Sequence, residues 1–215
     1  MTLTTDPHAG QPVTSFGPPL AESKRAVIMI HGRNAAPHNI LDLVPRLERP
    51  GFTYLAPAAA NNTWYPLSFM AEIEKNEPYL TSALRRLHQL VSEVVAAGVP
   101  TERLVLLGFS QGACLAAEFA CRNAAPYGGI VMFSGGLIGP PGTTWNRGGS
   151  FAGAPAFLGC SDIDAHVPKT RVDESADVFK RLGANVTERI YPGMGHVVND
   201  DEIASAQALL DSVKT

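Results

Sequence analysis

The sequence predicts an α/β domain, in which helices cover both faces of a mostly parallel β-sheet. Three observations support this fold class. Short, continuously apolar runs recur along the chain, as is typical of strands that are buried on both faces. Helical periods separate these runs, and parallel strands need such crossover connections. The 215 residues are enough for one domain with a sizeable core.

The apolar runs define the strands and the domain boundary. Residues 1–24 are rich in Pro, Gly, Ser and Thr and are expected to form an arm, followed by one domain over residues 25–215. No internal repeat or linker interrupts this domain, and we expect no separate cap domain. The predicted strands are Ala26–His31, Phe52–Ala56, Leu104–Leu107, Ile130–Phe133, Ala156–Leu158 and Val186–Tyr191.

The segments between the strands carry helical periodicity. The clearest period runs over residues 77–97, where Pro78 suits the first helical turn and Gly98 suits the position just beyond the end of the helix. The predicted helices are Glu77–Ala97, Gln111–Arg122, Arg171–Leu182 and Asp200–Val213. The irregular stretch 135–155 is unusually long for a compact domain, which favours a functional loop.

The composition narrows the class of partner. A net charge of −3, spread along the chain, argues against nucleic acid and anionic membranes. The N-terminus lacks the pattern of a secretory signal, and the apolar run 26–30 is too short to span a bilayer. Cys114 and Cys121 would lie about 10 Å apart on one helix, beyond disulfide reach, which favours reduced thiols and a cytoplasmic protein. We therefore expect a small-molecule or acyl substrate and a monomer or homodimer.

The sharpest functional signal is the pentapeptide GFSQG at 108–112, which joins a predicted strand to a predicted helix. A nucleophilic serine at such a turn needs small flanking residues, because the turn is tight and the serine backbone is strained. The start of the following helix also favours negative charge that develops near the hydroxyl. Ser110 is therefore the predicted nucleophile.

A serine hydroxyl needs a general base, and in this arrangement an acid and then a histidine follow the serine along the chain. His196, in the loop 192–196 after the last predicted strand, fits that order. Histidine titrates near neutral pH, which suits a base. For the acid, the residues leave Asp162, Asp164 and the more remote Asp173 open.

Asp162 and Asp164 also have other interpretations. An aspartate in such a loop often shapes it by bonding nearby backbone amides, which is the alternative role for Asp162. Asp162, Asp164 and His166 alternate, so a metal site is a further interpretation. Sites for hard metal ions draw on more oxygen ligands than this stretch provides. We therefore expect neither a metal nor a cofactor.

Chemistry at a carbonyl group also needs hydrogen-bond donors for the oxyanion. The candidates are the backbone N–H of Gln111, directly after the nucleophile, and that of Arg33, after the first predicted strand. Gly32 would let the backbone approach closely. An acyl pocket is expected to use apolar residues of the loops, and the candidates are Trp64, Phe69, Leu137, Trp145 and Met194.

These motifs resemble the phospholipase/carboxylesterase family, which includes the acyl-protein thioesterases. The resemblance runs from about residue 25 to the end and rests on HGR at 31–33, GFSQG at 108–112, DAHVP at 164–168 and YPGMGH at 191–196. It implies the α/β-hydrolase fold and a triad of Ser110, His196 and Asp164, which favours Asp164 over Asp162. It also implies oxyanion donors at the two amides already named.

The activity implied by the resemblance is the metal-free hydrolysis of carboxylic esters, with short to medium acyl chains expected. Thioesterase or lysophospholipase activity on longer acyl chains is an alternative. Arg33-Asn34 stands where the eukaryotic thioesterases usually have Leu-Gly, and NNTWYP at 61–66 is more similar to a bacterial branch of small carboxylesterases. A non-catalytic ligand-binding protein on the same fold is the alternative from another class.

Overall fold

In the computed structural model, which describes residues 6–214, the chain forms one seven-stranded sheet. The strands are β1 (Val13–Phe16), β2 (Arg25–Ile30), β3 (Phe52–Pro57), β4 (Leu104–Phe109), β5 (Gly129–Phe133), β6 (Pro155–Ser161) and β7 (Asn185–Tyr191). Their order across the sheet is β1-β3-β2-β4-β5-β6-β7. Strand β1 pairs antiparallel with β3, and the other pairings within the described residues are parallel. The mostly parallel sheet is therefore confirmed.

The helices are α1 (Pro37–Leu41), α2 (Val44–Leu47), α3 (Tyr79–Ala96), α4 (Gln111–Arg122), α5 (Lys169–Arg181) and α6 (Asp200–Ser212). The longer helices, α3 to α6, correspond to the predicted ones. Helices α1 and α2 were not predicted because one turn is too short to show a helical period. Over residues 6–214, no helix combines the length and the apolar character that a bilayer crossing requires.

The helices lie on both faces of the sheet because alternate strand residues point in opposite directions. In β2, Val27 and Met29 pack in one apolar cluster with residues of α1, α2 and α6. Ile28 and Ile30 pack in the other cluster, with residues of α3, α4 and α5. Because the central strands are parallel, their carboxyl ends meet at one edge, where the loops with the predicted site residues begin.

The N-terminal segment differs from the expected arm. Residues 1–5 of that arm lie outside the described part of the chain. Val13–Phe16 form β1, which pairs with residues 54–57 at the edge of the sheet. His8 is fully buried, and its Nε2 donates a hydrogen bond of 2.9 Å to the carbonyl oxygen of Trp64. Residues 13–16 of the expected arm therefore belong to the sheet, and the sequence did not indicate this because a four-residue edge strand carries no recognisable apolar pattern.

The irregular stretch between β5 and β6 is anchored in the core by its apolar side chains, although many of its other residues are exposed. Its apolar residues Leu137, Ile138, Trp145 and Phe151 are all buried. Arg171 of α5 is 1% exposed, and its Nη1 donates to the carbonyl oxygens of Leu137 and Gly139, both at 2.8 Å. This single guanidinium satisfies backbone carbonyls that have no partner in a helix or strand, which allows an irregular segment to be buried.

Candidate active site

Ser110 lies alone between the last residue of β4 and the first residue of α4. Its backbone has φ 55° and ψ −122°, a strained conformation for a residue with a side chain. The Ser110 N–H donates to the carbonyl oxygen of Phe133 at 2.9 Å, and its own carbonyl accepts from the N–H of Cys114 at 3.0 Å. These contacts on both sides hold the strained turn.

The two glycines that flank the serine are required by close packing. A Cβ atom on Gly112 would lie 2.0 Å from the carbonyl oxygen of Ile30. A Cβ atom on Gly108 would lie 2.4 Å from the carbonyl carbon of Gly112. Both contacts are with backbone atoms, which cannot move aside as a flexible side chain can. The turn therefore tolerates only glycine at these positions.

The structure brings Ser110, His196 and Asp164 into one hydrogen-bonded chain. The Nε2 atom of His196 lies 2.8 Å from Oγ of Ser110, and its Nδ1 atom lies 2.7 Å from Oδ2 of Asp164. Because an ionised carboxylate can only accept, Nδ1 carries the proton and Nε2 is free to accept from the hydroxyl. This arrangement can remove a proton from the serine.

Asp164 is held as a buried carboxylate. Its side chain is 0% exposed. Its Oδ1 atom accepts from the backbone N–H groups of His166 at 2.8 Å and Val167 at 3.0 Å. Burial by itself raises the pKa of Asp164, but the hydrogen bonds from His196 and these two amides outweigh burial and leave the pKa below its ordinary value. The group is therefore ionised at neutral pH.

The other candidate acids have different partners. Asp162 Oδ1 accepts from the backbone N–H of Gly193 at 2.8 Å, so this carboxylate tethers the loop that carries His196. Asp173 pairs with Lys169 on the exposed side of α5, at 2.7 Å. Asp162 and Asp164 thus bind different groups of the loop that carries His196.

The two predicted oxyanion donors belong to residues that line the same cleft as Ser110. Gln111 is the first residue of α4, so its N–H has no acceptor within the helix. For the N–H of Arg33, no backbone acceptor is found among residues 6–214. A Cβ atom on Gly32 would lie 3.5 Å from Cβ of Ser110, which shows how closely this loop approaches the nucleophile.

His31 fixes the orientation of the peptide that contains the Arg33 amide. Its Nε2 accepts from the N–H of Ala59 at 3.2 Å, so Nδ1 carries the proton and donates to the carbonyl oxygen of Gly32 at 2.8 Å. Burial lowers the pKa of His31, which keeps the ring neutral. In a planar trans peptide the C=O and N–H point in opposite directions, so the Arg33 N–H points away from His31.

The side chains of Gln111 and Arg33 both hold one segment, residues 64–69, which we call the wall segment. The Gln111 amide donates to the carbonyl oxygen of Tyr65 at 2.8 Å and accepts from the N–H of Trp64 at 3.0 Å. The Arg33 guanidinium donates to the next two carbonyl oxygens along the chain, at 2.7 and 2.5 Å. The sequence motifs contain no signal for this link between the two oxyanion residues and the cleft wall.

The cleft has a volume of about 540 Å³, a size suited to a small ligand. Of the predicted pocket residues, only Phe69 is among the described residues that line it. The residues on its surface are Gly32, Arg33, Asn34, Ala35, Tyr65, Pro66, Leu67, Ser68, Phe69, Phe109, Ser110, Gln111, Cys114, His166, Val167 and His196.

The other predicted pocket residues are not among the described residues that line the cleft. Trp64 is 0% exposed, and its Nε1 donates to the carbonyl oxygen of His31. Leu137 and Trp145 are buried in the stretch that precedes β6. Met194 lies beside the histidine, but its sulfur accepts from the side chain of Asn199 rather than lining the cleft. An apolar residue in a loop can turn into the core, and the sequence does not show its direction.

The structure also shows residues that sequence analysis missed. The ring of His166 packs edge-to-face on the ring of His196, with centroids 4.8 Å apart, and also lines the cleft. The two aromatics of NNTWYP did signal the wall segment, although Tyr65 rather than Trp64 reaches the cleft.

All three cysteines are buried free thiols, and burial raises the pKa of Cys114 to about 12, which keeps it protonated.

A strained serine between a strand and a helix, at the carboxyl edge of a parallel sheet, defines the α/β-hydrolase class. The chain belongs to the phospholipase/carboxylesterase family, whose model matches residues 18–214. This family consists of hydrolases that act on ester bonds. The predicted fold, family and general enzyme class are thereby confirmed.

Similar proteins include both esterases and thioesterases. Acyl-protein thioesterase 1 of Eremothecium gossypii is 30% identical over 173 residues, which are 74% of this chain and 72% of that protein. A phospholipase/carboxylesterase structure from Dyadobacter fermentans is 40% identical, with a TM-score of 0.90 over 94% of this chain and 96% of its own. The Bacillus cereus carboxylesterase, at 18% identity and a TM-score of 0.78 over 96% of each chain, is similar in fold alone.

Proposed function

We propose that this chain is a serine carboxyl-ester hydrolase that works through an acyl-enzyme at Ser110. The observation that carries the proposal is the unbroken hydrogen-bonded chain from the Ser110 hydroxyl through His196 to Asp164. The elbow exposes this hydroxyl to a cleft that also contains the two candidate oxyanion residues. The family relationship supports the same reaction class.

In the proposed reaction, Ser110 Oγ attacks the acyl carbon while His196 Nε2 takes the hydroxyl proton. Charge that develops on the carbonyl oxygen is stabilised by the N–H groups of Arg33 and Gln111, and each such donor is typically worth about 3 kcal/mol in the transition state. His196 then gives the proton to the leaving oxygen as its bond to carbon breaks. Water activated by the same imidazole cleaves the acyl-enzyme and restores the serine.

For the substrate, we propose short to medium acyl esters, because the cleft volume of about 540 Å³ suits a small ligand. Thioesters are a second candidate, which the similarity to the Eremothecium gossypii acyl-protein thioesterase favours. A series of p-nitrophenyl esters of increasing chain length, run beside the matching thioesters, separates the two. The cytoplasmic location and the monomer or homodimer state stay predictions.

The direct test of the proposed function is Ser110→Ala. We expect hydrolysis of p-nitrophenyl acetate to fall on the order of 10⁶-fold, because the reaction loses its nucleophile. Ser92→Ala, a change on the exposed face of α3, is the control and should keep wild-type activity. A fluorophosphonate probe should label the wild type at Ser110, which a non-catalytic binding protein would not allow. A Ser110→Ala variant with the wild-type rate would refute the proposal.

A further inference from the structure

The cleft beside Ser110 carries basic side chains in a chain whose net charge is −3. Arg33, His166 and His196 line it, and no aspartate or glutamate is found among the described lining residues. Asp164 lies behind His196, to which it is bonded, and is not on the cleft surface. The local balance of charge is therefore opposite to that of the whole chain.

The Arg33 guanidinium is exposed and has no carboxylate partner within ion-pair distance among residues 6–214. Arg49, by contrast, pairs with Asp211 at 2.6 Å. The acceptors of Arg33 are the carbonyl oxygens of Pro66 and Leu67, which are neutral. These bonds hold the guanidinium in place and leave its charge uncompensated.

A fixed guanidinium is well suited to bind an anion. Its planar set of N–H groups matches the oxygens of a carboxylate or phosphate, and two carbonyl bonds leave further N–H groups available. Because the side chain is already held, less conformational entropy is lost when it binds. Arg33 and Ser110 line the same cleft, so an anion bound to this guanidinium would share the cleft with the reacting carbonyl group.

We propose that the preferred substrates of this enzyme are carboxylic esters that carry a negatively charged group close to the ester bond, and that Arg33 binds this group. The inference rests on the proposed function and names its substrate class. It gives Arg33 two parts: its backbone N–H serves the oxyanion, and its side chain selects the substrate. The charged group can belong to the acyl side or to the alcohol side of the ester.

The test compares esters that differ only in charge. On the acyl side, the pair is mono-p-nitrophenyl glutarate and its neutral methyl ester. On the alcohol side, the pair is 4-acetoxybenzoate and its methyl ester. At low salt, we expect kcat/KM of the wild type to be roughly tenfold higher for the anionic member of at least one pair. This ratio corresponds to the free energy that one hydrogen bond to a charged group typically contributes. The ratio should fall as ionic strength rises, because salt screens exposed charges.

Three variants connect this preference to the guanidinium. Arg33→Met removes the charge and keeps the backbone N–H, so the ratio of anionic to neutral ester should fall to about one or below, whatever the absolute rates. Arg33→Lys keeps the charge without the planar fork and should give an intermediate ratio. Lys24→Met makes the same change in net charge near the amino end of β2, opposite the cleft, and should keep the wild-type ratio.

The outcomes separate this inference from the proposed function. Hydrolysis of neutral esters depends on the triad of Ser110, His196 and Asp164 and does not require an anion on the substrate. If the wild type hydrolyses neutral esters at least as well as anionic ones in both pairs, the anionic substrate class is wrong and the esterase proposal stands. A preference that survives in Arg33→Met also overturns the inference. If the wild type hydrolyses none of the four esters, both proposals fail. If Arg33→Met does not fold, the inference is still tested by three measurements. These are the ratio of kcat/KM for anionic and neutral esters in the wild type, the salt dependence of that ratio, and the same ratio in Arg33→Lys.

Discussion

The serine elbow and the histidine loop meet at one hydrogen bond, but they are positioned in different ways. The elbow, residues 108–112, is shaped by its own backbone, which packs directly against the neighbouring strand β2. The histidine loop, residues 192–199, is held by side chains from other parts of the chain. Asp162 bonds the amide of Gly193, and Asp164 bonds the ring of His196. The nucleophile is therefore placed by close backbone packing, and the base is placed by side-chain hydrogen bonds.

The two regions also differ in packing. Cβ atoms on the elbow glycines would collide with backbone, whereas Cβ atoms on Gly193 and Gly195 would meet nothing within 4 Å. Most of the histidine loop is exposed or half-buried. Substitutions of the elbow glycines should therefore destabilise the fold, whereas substitutions that affect the histidine loop should change activity through the partners of His196.

Among the substitutions that compare the two regions, the largest expected effect is at the acid that bonds the histidine. In Asp164→Asn the side-chain amide no longer favours the Nδ1–H tautomer, and turnover should fall by about 10⁴. Asp162→Asn keeps an oxygen that can accept from the Gly193 amide, so turnover should fall less than about tenfold. Steady-state kinetics with p-nitrophenyl acetate measures both variants. If only Asp162→Asn abolishes turnover, Asp162 rather than Asp164 is the acid.

A smaller effect, on stability, distinguishes the glycines of the two regions. Gly112→Ala forces a methyl group against the carbonyl oxygen of Ile30 and should cost about 3 kcal/mol of the free energy of unfolding. Gly195→Ala, in the open histidine loop, should change that free energy by less than about 0.5 kcal/mol. Urea denaturation measures both. Equal losses in the two variants would mean that close packing is not what restricts the elbow.

A further effect on stability concerns pH and the start of α6, directly after the histidine loop. Glu202 Oε2 accepts from the N–H of Asn199 at 2.9 Å, whereas Oε1 is buried without a partner among the described residues. Burial raises the pKa of Glu202 from 4.5 to about 7, and Asp201 adds to this rise while the Asn199 amide opposes it. The folded protein therefore holds this proton at pH values where the unfolded chain has released it.

Stability contributed by protonated Glu202 should thus be complete below about pH 4.5 and be lost as the pH rises to about 7. The loss is about 3 kcal/mol at most. Glu202→Gln, which stays neutral and can still accept from the Asn199 amide, should remove this part of the pH dependence. Thermal unfolding of both proteins across that range measures the difference. Parallel curves would show that Glu202 does not titrate in the folded state.

Much of the fold and half of the site could be predicted from local patterns. Continuous apolar runs predicted β2 to β7, because strands that are buried on both faces are apolar at every position. Helical periods predicted α3 to α6, because the apolar residues of a helix that buries one face recur at the helical period. The elbow was predictable for a related reason. Glycines around a serine, between a strand and a helix, are a direct consequence of steric limits on a tight turn.

The remaining features depend on contacts between residues that are far apart in the chain. The residues alone left the acid open between Asp162 and Asp164, and the fold turns one to His196 and the other to Gly193. The sequence also did not predict three other features: strand β1, the burial of Trp64, and the hydrogen bonds from Arg33 to the wall segment. Steric limits and periodicity involve residues that are close together in the sequence, so short stretches of sequence are enough to predict their effects. A side chain's partner across the molecule follows only from how the packed elements bring distant loops together.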